Sequence, residues 1–205
     1  YFEERTTGAP LCAIIRNSNT RSKDYSKLKD VMRPGHADYT GSVRYDGYND
    51  YRGGGHFSGR ITAPIVFAGA ICKQILEEQG IYITSHVKSI GKIYDNSLLD
   101  SEITEELVNS FKGAELPLIN KALEEKMRSE ILEAKQEGDS VGGSIECAVL
   151  GIKAGIGNPF FDSVESTLAH LMFSVPAVKG IEFGRGFDIS EMRGSEANDE
   201  YYMDN

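Results

Sequence analysis

Two short stretches of the chain carry side chains whose types and spacing could act on an anionic ligand. In the first, RPGHADYT at residues 33–40, Arg33 and His36 flank a Pro-Gly pair. Arg33 precedes a proline, which biases it to an extended conformation, and the Pro-Gly pair suits the centre of a type II turn. Such a turn could present a fixed cation to a phosphate, beside a proton donor that works near neutral pH. The alternative is an ordinary surface turn in which His36 caps nearby backbone.

The second stretch is the glycine run RGGGHFSGRITAP at residues 52–64. Its glycines let backbone N–H groups approach a ligand closely, and a helix predicted to begin near Thr62 points its positive end at the loop. Ser58 and Arg60 add side-chain donors. The spacing matches neither a Walker loop nor a dinucleotide-binding GxGxxG. A flexible glycine loop without a ligand is the alternative interpretation.

The charge distribution separates this region from the rest of the chain. The net charge is −9, which argues against nucleic acid or an anionic membrane as the general partner. No apolar run approaches the ~20 residues that span a bilayer. Residues 33–60 nevertheless concentrate arginine, as an anion site requires, and solvated loop charge is the equal alternative. The scattered Cys12, Cys72 and Cys147 have no metal-type spacing and are typical of reduced core thiols in a cytoplasmic protein.

The elements that must position these residues alternate between helix and strand. Apolar periodicity predicts helices with a polar face and short apolar strands bounded by turn residues. Residues 41–60 show no periodicity and are predicted to form an ordered loop. The order favours a layered α/β or α+β fold. We expect strands at 8–17, 81–93 and 145–152, a strand pair at 178–189, and helices from Thr62 or Ala63 to Gly80, at 120–136 and at 164–173.

The two stretches, taken together, resemble a known family. RPGHADYT with GGGHFSGRITAPIVFAGAI is similar to chorismate synthase, the last enzyme of the shikimate pathway. RNSNTRSKDYS, EGDSVGG, GNPFFDSVES and AVKGIEFGRGFD follow in family order, so the resemblance covers essentially the whole chain. It implies an α+β fold, a layered β-α-β sandwich with helices packed between antiparallel sheets, here incomplete and a single domain over 1–205. The positions that match the family signature are Gly55, Ser58, Gly59, Arg60, Thr62, Val66, Gly69, Ala70 and Ile71.

The resemblance also implies a reaction and roles for individual residues. The family's lyase converts 5-enolpyruvylshikimate 3-phosphate to chorismate and phosphate by 1,4-elimination, in aromatic amino acid biosynthesis. It requires reduced FMN, although there is no net redox change. His36 would be catalytic, lying against the flavin and helping to protonate its reduced state. Arg33 and Arg60 would bind the substrate's phosphate or carboxylates, because guanidinium pairs bidentately with oxyanions.

Further positions would contact the cofactor. By the resemblance, His56, Phe57 and Ser58 match one flavin-contacting segment, and Pro176 with Ala177 matches another. Many members have Arg-Ser-Ser in the first segment and Asn in place of Pro176, so side-chain contacts there would differ while backbone contacts could survive.

The resemblance implies a cytoplasmic homotetramer with no nucleic acid, membrane or metal partner. NADPH reduction of the flavin by the protein itself and reduction from outside both stay open. The chain is expected to be the central part of the enzyme, since the family's N-terminal Gly-Glu-Ser-His and C-terminal Lys-Pro-Thr motifs fall outside it. Two alternatives therefore remain, a catalytically incompetent structural fragment and an anion- or flavin-binding module without turnover.

Overall fold

Helices and one antiparallel sheet make up the regular structure of the chain. The computed structural model describes residues 1–18, 22–201 and 203. The α-helices are α1 (Asp38–Arg44), α2 (Thr62–Glu77), α3 (Glu105–Phe111), α4 (Glu124–Gln136) and α5 (Val164–Met172), and the strands are β1 (Tyr82–Ile90), β2 (Ile93–Tyr94) and β3 (Gly143–Leu150). Short 3₁₀ segments lie at Ser22–Lys29, Arg52–Phe57, Gly59–Ile61, Leu98–Asp100, Lys121–Leu123 and Gly186–Glu191.

The chain divides into two compact units. The first consists of Tyr1–Cys72 and Gly157–Ile181, and it contains both stretches that carry the candidate chemistry. The second consists of Lys73–Ile156 and Glu182–Asn205, and it contains the sheet.

The sheet has the strand order β2-β1-β3, with both neighbours of β1 antiparallel to it. The β1–β3 pairing runs from Tyr82 opposite Leu150 to Ile90 opposite Gly143. One irregularity, between Val87 and Ser89, breaks the alternation so that consecutive residues turn inward there. Helices beside an antiparallel sheet make this an α+β structure, as predicted.

A small apolar core forms where α4 packs against β1. Val87, Leu118 and Met127 are buried, and Met127 has no exposed surface. The predicted amphipathic helix is confirmed, and its face places Met127 inward. The partly buried side chains that pack against this core are Ile90, Ile93, Leu116 and Leu123.

The same sheet contains a buried histidine that lies between two carboxylates. The imidazole of His86 is fully buried, with Nδ1 3.2 Å from Asp95 Oδ2 and Nε2 2.8 Å from Glu146 Oε2. The ring also stacks on Phe111 at a centroid distance of 5.7 Å. His86 therefore acts as a structural residue that links β1 to β3 and to the segment after β2.

Backbone and hydroxyl donors complete this network. Burial by itself raises the pKa of Glu146, but hydrogen bonds, chiefly from His86, outweigh it and leave that pKa below its usual range. Every carboxylate oxygen of Asp95 and Glu146 accepts at least one hydrogen bond. The further donors to Asp95 are the amides of Asn96, Ile119 and Asn120, and those to Glu146 are the Ser97 hydroxyl and the Leu98 amide.

Helix α2 is apolar and yet exposed. None of its residues is buried, and Ile65, Val66 and Phe67 expose 48%, 69% and 43% of their surfaces. By length and composition alone, Gly59–Glu77 could cross a membrane, although core helices of water-soluble proteins share that composition. The sequence predicted no membrane-spanning segment because only uninterrupted apolar runs were considered. The segment Gly59–Glu77 is long and apolar enough to span a membrane even though it contains a few charged residues.

Two predicted strand regions are wrong. Residues 8–17 have no regular structure, and the predicted pair at 178–189 is irregular chain ending in the 3₁₀ segment Gly186–Glu191. A short apolar run becomes a strand only when another strand pairs with it, and none of the described residues pairs with either region. Positive φ angles of 58° at Gly184 and 55° at Gly186 also turn the chain away from an extended course.

Two further expectations need correction. The predicted loop at 41–60 contains most of α1. The cysteines are free thiols, but all three are exposed instead of lying in a core.

Candidate functional site

The RPGHADYT turn brings Arg33 and His36 together around the side chain of Asp38. Gly35 has φ +71°, as the third position of a type II turn requires. The Arg33 guanidinium pairs bidentately with Asp38, donating from Nε to Oδ2 at 2.8 Å and from Nη2 to Oδ1 at 2.9 Å. Nδ1 of His36 lies 2.7 Å from Oδ1 of the same carboxylate. The turn therefore forms a three-residue cluster and not only the predicted pair.

Asp38 is the buried member of this cluster. Its side chain is 7% exposed, whereas those of Arg33 and His36 are 37% and 25% exposed. The backbone N–H of Arg33 adds a bond to Oδ2 at 3.0 Å, so Arg33 alone donates three hydrogen bonds to this carboxylate. Hydrogen bonding from the Arg33 side chain outweighs the opposing effect of burial and holds the pKa of Asp38 far below its usual range.

The low pKa of Asp38 predicts how stability depends on pH. A carboxyl whose pKa is depressed by folding stabilises the fold above its unfolded pKa, ~3.9, and loses that contribution as the pH falls through its folded pKa. We expect Asp38→Asn to lower the free energy of unfolding at neutral pH by about 1–2 kcal/mol, because charged hydrogen bonds to a half-exposed partner are lost. The difference should shrink below about pH 4. Urea titrations of both proteins at neutral and acid pH measure it, and a gap that widened in acid would contradict the assignment.

The glycine run forms the loop that leads into α2. Gly53, Gly54 and Gly55 have φ angles of +63°, +84° and +51°, which side-chain-bearing residues rarely adopt. The loop closes on Arg60, whose guanidinium donates to the Gly53 carbonyl oxygen and, at 3.1 Å, to the Ser58 hydroxyl. The run thus adopts a defined loop conformation, while the alternative of a flexible glycine loop without a ligand stays a prediction.

His36 lies against this loop. A Cβ added to Gly54 would come 3.2 Å from His36 Nε2 and 3.5 Å from the Ser58 Cβ. Nε2 is therefore the ring nitrogen nearest the glycine loop, while Nδ1 faces Asp38. The two stretches that the sequence singled out meet at this point.

A cavity of about 820 Å³ opens on the other residues of the loop, within the size range of small-molecule sites. Its walls combine apolar side chains with three arginines, Arg16, Arg52 and Arg60. Arg52 pairs with Asp50 at 2.8 Å and lowers the pKa of that carboxyl to about 2. The remaining lining residues are Ile15, Asn17, Ser18, Tyr25, Asp50, Gly53, Gly55, Ser58, Ile61, Thr62, Ala63 and Pro64.

The residues predicted from the sequence fall into four groups. Ser58 and Arg60 line the cavity, and Arg33 with His36 forms the cluster behind Gly54. In the third group, His56 is exposed and the ring of Phe57 packs on Gly41. The fourth group, Pro176 and Ala177, is exposed on a separate segment and does not line the cavity, and Ala177 has a positive φ of 70°. Their roles as flavin contacts stay predictions.

The sequence interpretation missed several residues of the cavity. Arg16, Asn17 and Tyr25 belong to RNSNTRSKDYS, a stretch that matched the family pattern but received no role. The basic and amide side chains in this stretch were the available signal that it could contact an anionic ligand. Within the described ranges, no group of three or more His, Cys, Asp or Glu residues is arranged to hold a metal ion.

Comparison with known proteins gives one consistent family. A family model described as chorismate synthase matches residues 1–205. The chorismate synthase of Pyrococcus abyssi is 46% identical over 202 residues, covering 98% of this chain and 55% of the relative. That of Dehalococcoides mccartyi is 43% identical over 196 residues, covering 96% of this chain and 53% of the relative.

A solved structure described as a crystal structure of chorismate synthase is also similar. It has a TM-score of 0.69 and 33% sequence identity, covering 80% of this chain and 51% of the other. This likeness supports the α+β class independently. The chain spans about half the length of the curated relatives it matches.

Proposed function

The chain belongs to the chorismate synthase family, and on that premise we propose that it supplies one wall of a lyase site for 5-enolpyruvylshikimate 3-phosphate. The reaction would be the 1,4-elimination of phosphate that gives chorismate, with reduced FMN required. The observation that carries the proposal is the convergence of Arg60, the glycine loop and the cavity at the start of α2, with His36 directly behind the loop.

The cavity suits a ligand that is both anionic and partly apolar. Arg16 and Arg60 offer guanidinium donors to phosphate or carboxylate oxygens, whereas Arg52 is already paired with Asp50. Ile15, Ile61 and Pro64 provide apolar walls against which a ring system could pack. These groups suit an anionic, partly apolar ligand such as a phosphorylated flavin or a phosphorylated carboxylic acid.

We assign the positions around the loop as follows. FMN, when bound, supplies electron density to the eliminating substrate. Ser58, with backbone groups of His56 and Phe57, would hold the cofactor, together with the segment at Pro176 and Ala177. The flavin reductant, NADPH or an outside donor, is left open, and the cytoplasmic homotetramer of the family is part of this proposal.

The chain's own residues bind the ligand and move a proton. Arg60 would pair with an oxyanion of the substrate while its remaining donors keep the glycine loop folded. Arg33 would contribute a second cation from the cluster behind Gly54. His36 would exchange a proton at Nε2, since Nδ1 is engaged by Asp38.

A second candidate function is ligand binding without turnover. The chain spans 55% of the Pyrococcus abyssi relative, and α2 exposes apolar residues along its length. Both observations favour a catalytically incompetent fragment, or an anion- or flavin-binding module, when the chain is isolated.

A chimaeric enzyme separates these functions. In it, this chain replaces the 202 matched residues of the Pyrococcus abyssi protein. We expect the chimaera to form chorismate from the enolpyruvyl phosphate with reduced FMN, and the isolated chain to bind FMN or substrate with little or no turnover. A folded chimaera without turnover would remove the proposed function, and no binding of either ligand by the isolated chain would remove the second candidate.

Arg60→Ala tests the anion site. We expect the dissociation constant of the substrate to rise about 10- to 150-fold in the chimaera, because losing a hydrogen bond to a charged group costs ~1.5–3 kcal/mol. Isothermal titration measures it. Arg44→Ala, which removes an exposed arginine from the end of α1, is the matched control and should bind normally. Equal affinities of the two variants would exclude Arg60 from the site.

A further inference from the structure

The carboxylate of Asp38 makes more contacts than a turn needs. It is almost completely buried, accepts three hydrogen bonds from Arg33, and has His36 Nδ1 at 2.7 Å from Oδ1. A type II turn needs none of these bonds to form, because proline and glycine already set its backbone. The arrangement therefore constrains side chains that project beyond the turn.

The contact with His36 determines where the neutral imidazole carries its proton. Asp38 is held ionised by Arg33, and an ionised carboxylate only accepts hydrogen bonds. Nδ1 of His36 lies 2.7 Å from Oδ1, so this nitrogen must carry the hydrogen. The lone pair of the neutral ring is then on Nε2, which is the nitrogen beside Gly54.

The contact between Asp38 and Arg33 fixes the position of the Arg33 guanidinium. Two parallel bonds of 2.8 and 2.9 Å hold the guanidinium, and Nη2 lies 3.2 and 3.3 Å from the two imidazole nitrogens. A guanidinium can only donate, and at nearly equal distances from the two ring nitrogens it does not distinguish between the two tautomers. The 2.7 Å contact with Asp38 is therefore the contact that selects the tautomer of His36.

We propose that Asp38 is a positioning residue, which holds His36 as the Nδ1-protonated tautomer and fixes the Arg33 guanidinium beside it. Nε2 then carries the lone pair on the side of the glycine loop, with Nη2 of Arg33 3.3 Å away, and is the nitrogen that would take up a proton. The tautomer and the ion pair are properties of the ligand-free chain. Their use in turnover rests on the proposed function.

The principle is general for a histidine that acts on a ligand through one nitrogen. A buried carboxylate on the other nitrogen keeps the tautomer and the ring orientation correct, and replacing it by the isosteric amide can leave the geometry intact while turnover falls by up to ~10⁴-fold. An asparagine at this position can donate to Nδ1 as well as accept from it. It would therefore no longer select one tautomer.

Nitrogen-15 NMR of the histidine ring tests the proposal on the 205-residue chain itself. Spectra recorded at about pH 8.5, above the ordinary imidazole range, report which nitrogen of His36 is protonated. We expect Nδ1–H in the wild type and in Asp46→Asn, an exposed Asp-to-Asn control after α1. Asp38→Asn should give a mixture of both tautomers. A wild-type His36 ring protonated mainly at Nε2 would overturn the proposal, and so would an unchanged tautomer in Asp38→Asn. If the variant does not fold, the wild-type spectrum alone still shows which nitrogen of His36 carries the hydrogen.

Turnover of the chimaera links the tautomer to function. We expect Asp38→Asn to lower kcat by about 10²-fold or more, with Asp46→Asn unaffected. Mixed tautomers with normal kcat would overturn the role of Asp38 in turnover. A chimaera that is inactive even with Asp38 present would refute the proposed function, while the wild-type spectrum would still establish the positioning role.

Discussion

Replacing Asp95 by alanine should remove about 3–5 kcal/mol from the free energy of unfolding, because it leaves the buried His86 without one of its two carboxylate partners. The backbone amides of Asn96, Ile119 and Asn120 lose their acceptor at the same time. Since a domain of this kind is stable by only ~5–15 kcal/mol, the loss is a large share of the total. Urea unfolding followed by circular dichroism measures it.

An exposed ion pair in the same unit provides the comparison. Asp100 pairs with Arg185 at 2.7 Å, but the side chains are 57% and 46% exposed. Asp100→Ala should therefore change the free energy of unfolding by at most ~1 kcal/mol. Both variants lose one aspartate, so the difference between them isolates burial and the network around His86. Equal destabilisation by the two substitutions would show that this network does not stabilise the sheet.

Replacing His36 by alanine should lower kcat of the chimaera by about 10²- to 10⁴-fold, the range that a positioned general acid or base contributes. The substitution keeps the bidentate Arg33–Asp38 pair, so the fold of the turn should survive. Substrate affinity should change much less than kcat, because His36 lies behind Gly54 and does not line the cavity. Steady-state kinetics at saturating reduced FMN measures both.

His170→Ala is the control for this substitution. It removes an exposed imidazole from α5 and should leave kcat unchanged. Thermal unfolding of both variants checks that any loss of turnover does not reflect loss of fold. If His36→Ala retained wild-type kcat, the histidine would have no part in the proton transfer.

Local chemistry explains the parts of the site that the sequence predicted correctly. The Pro-Gly pair sets the turn before His36 through its own backbone preferences, which Gly35 confirms with a positive φ. The start of α2 follows in the same way from Thr62 and Pro64. Neither feature depends on residues far along the chain.

The missed features depend on distant or competing partners. Asp38 was in a recognised motif, yet nothing in its sequence context shows that Arg33 and His36, and not water, would surround its carboxylate. The environment of His86 depends on the register of β1 with β3, because Glu146 lies sixty residues away. The run at 8–17 has good strand propensity, but a strand also needs a neighbour.

The exposed apolar helix α2 has a consequence for every affinity measured on the isolated chain. Arg60 and the glycine loop directly precede α2, and an unpacked helix of this length is only marginally populated in water. If only a fraction of molecules has α2 formed, the apparent dissociation constant is the intrinsic one divided by that fraction. Whatever covers α2 would then act as a positive effector of the anion site, tightening binding without touching a single group that lines the cavity.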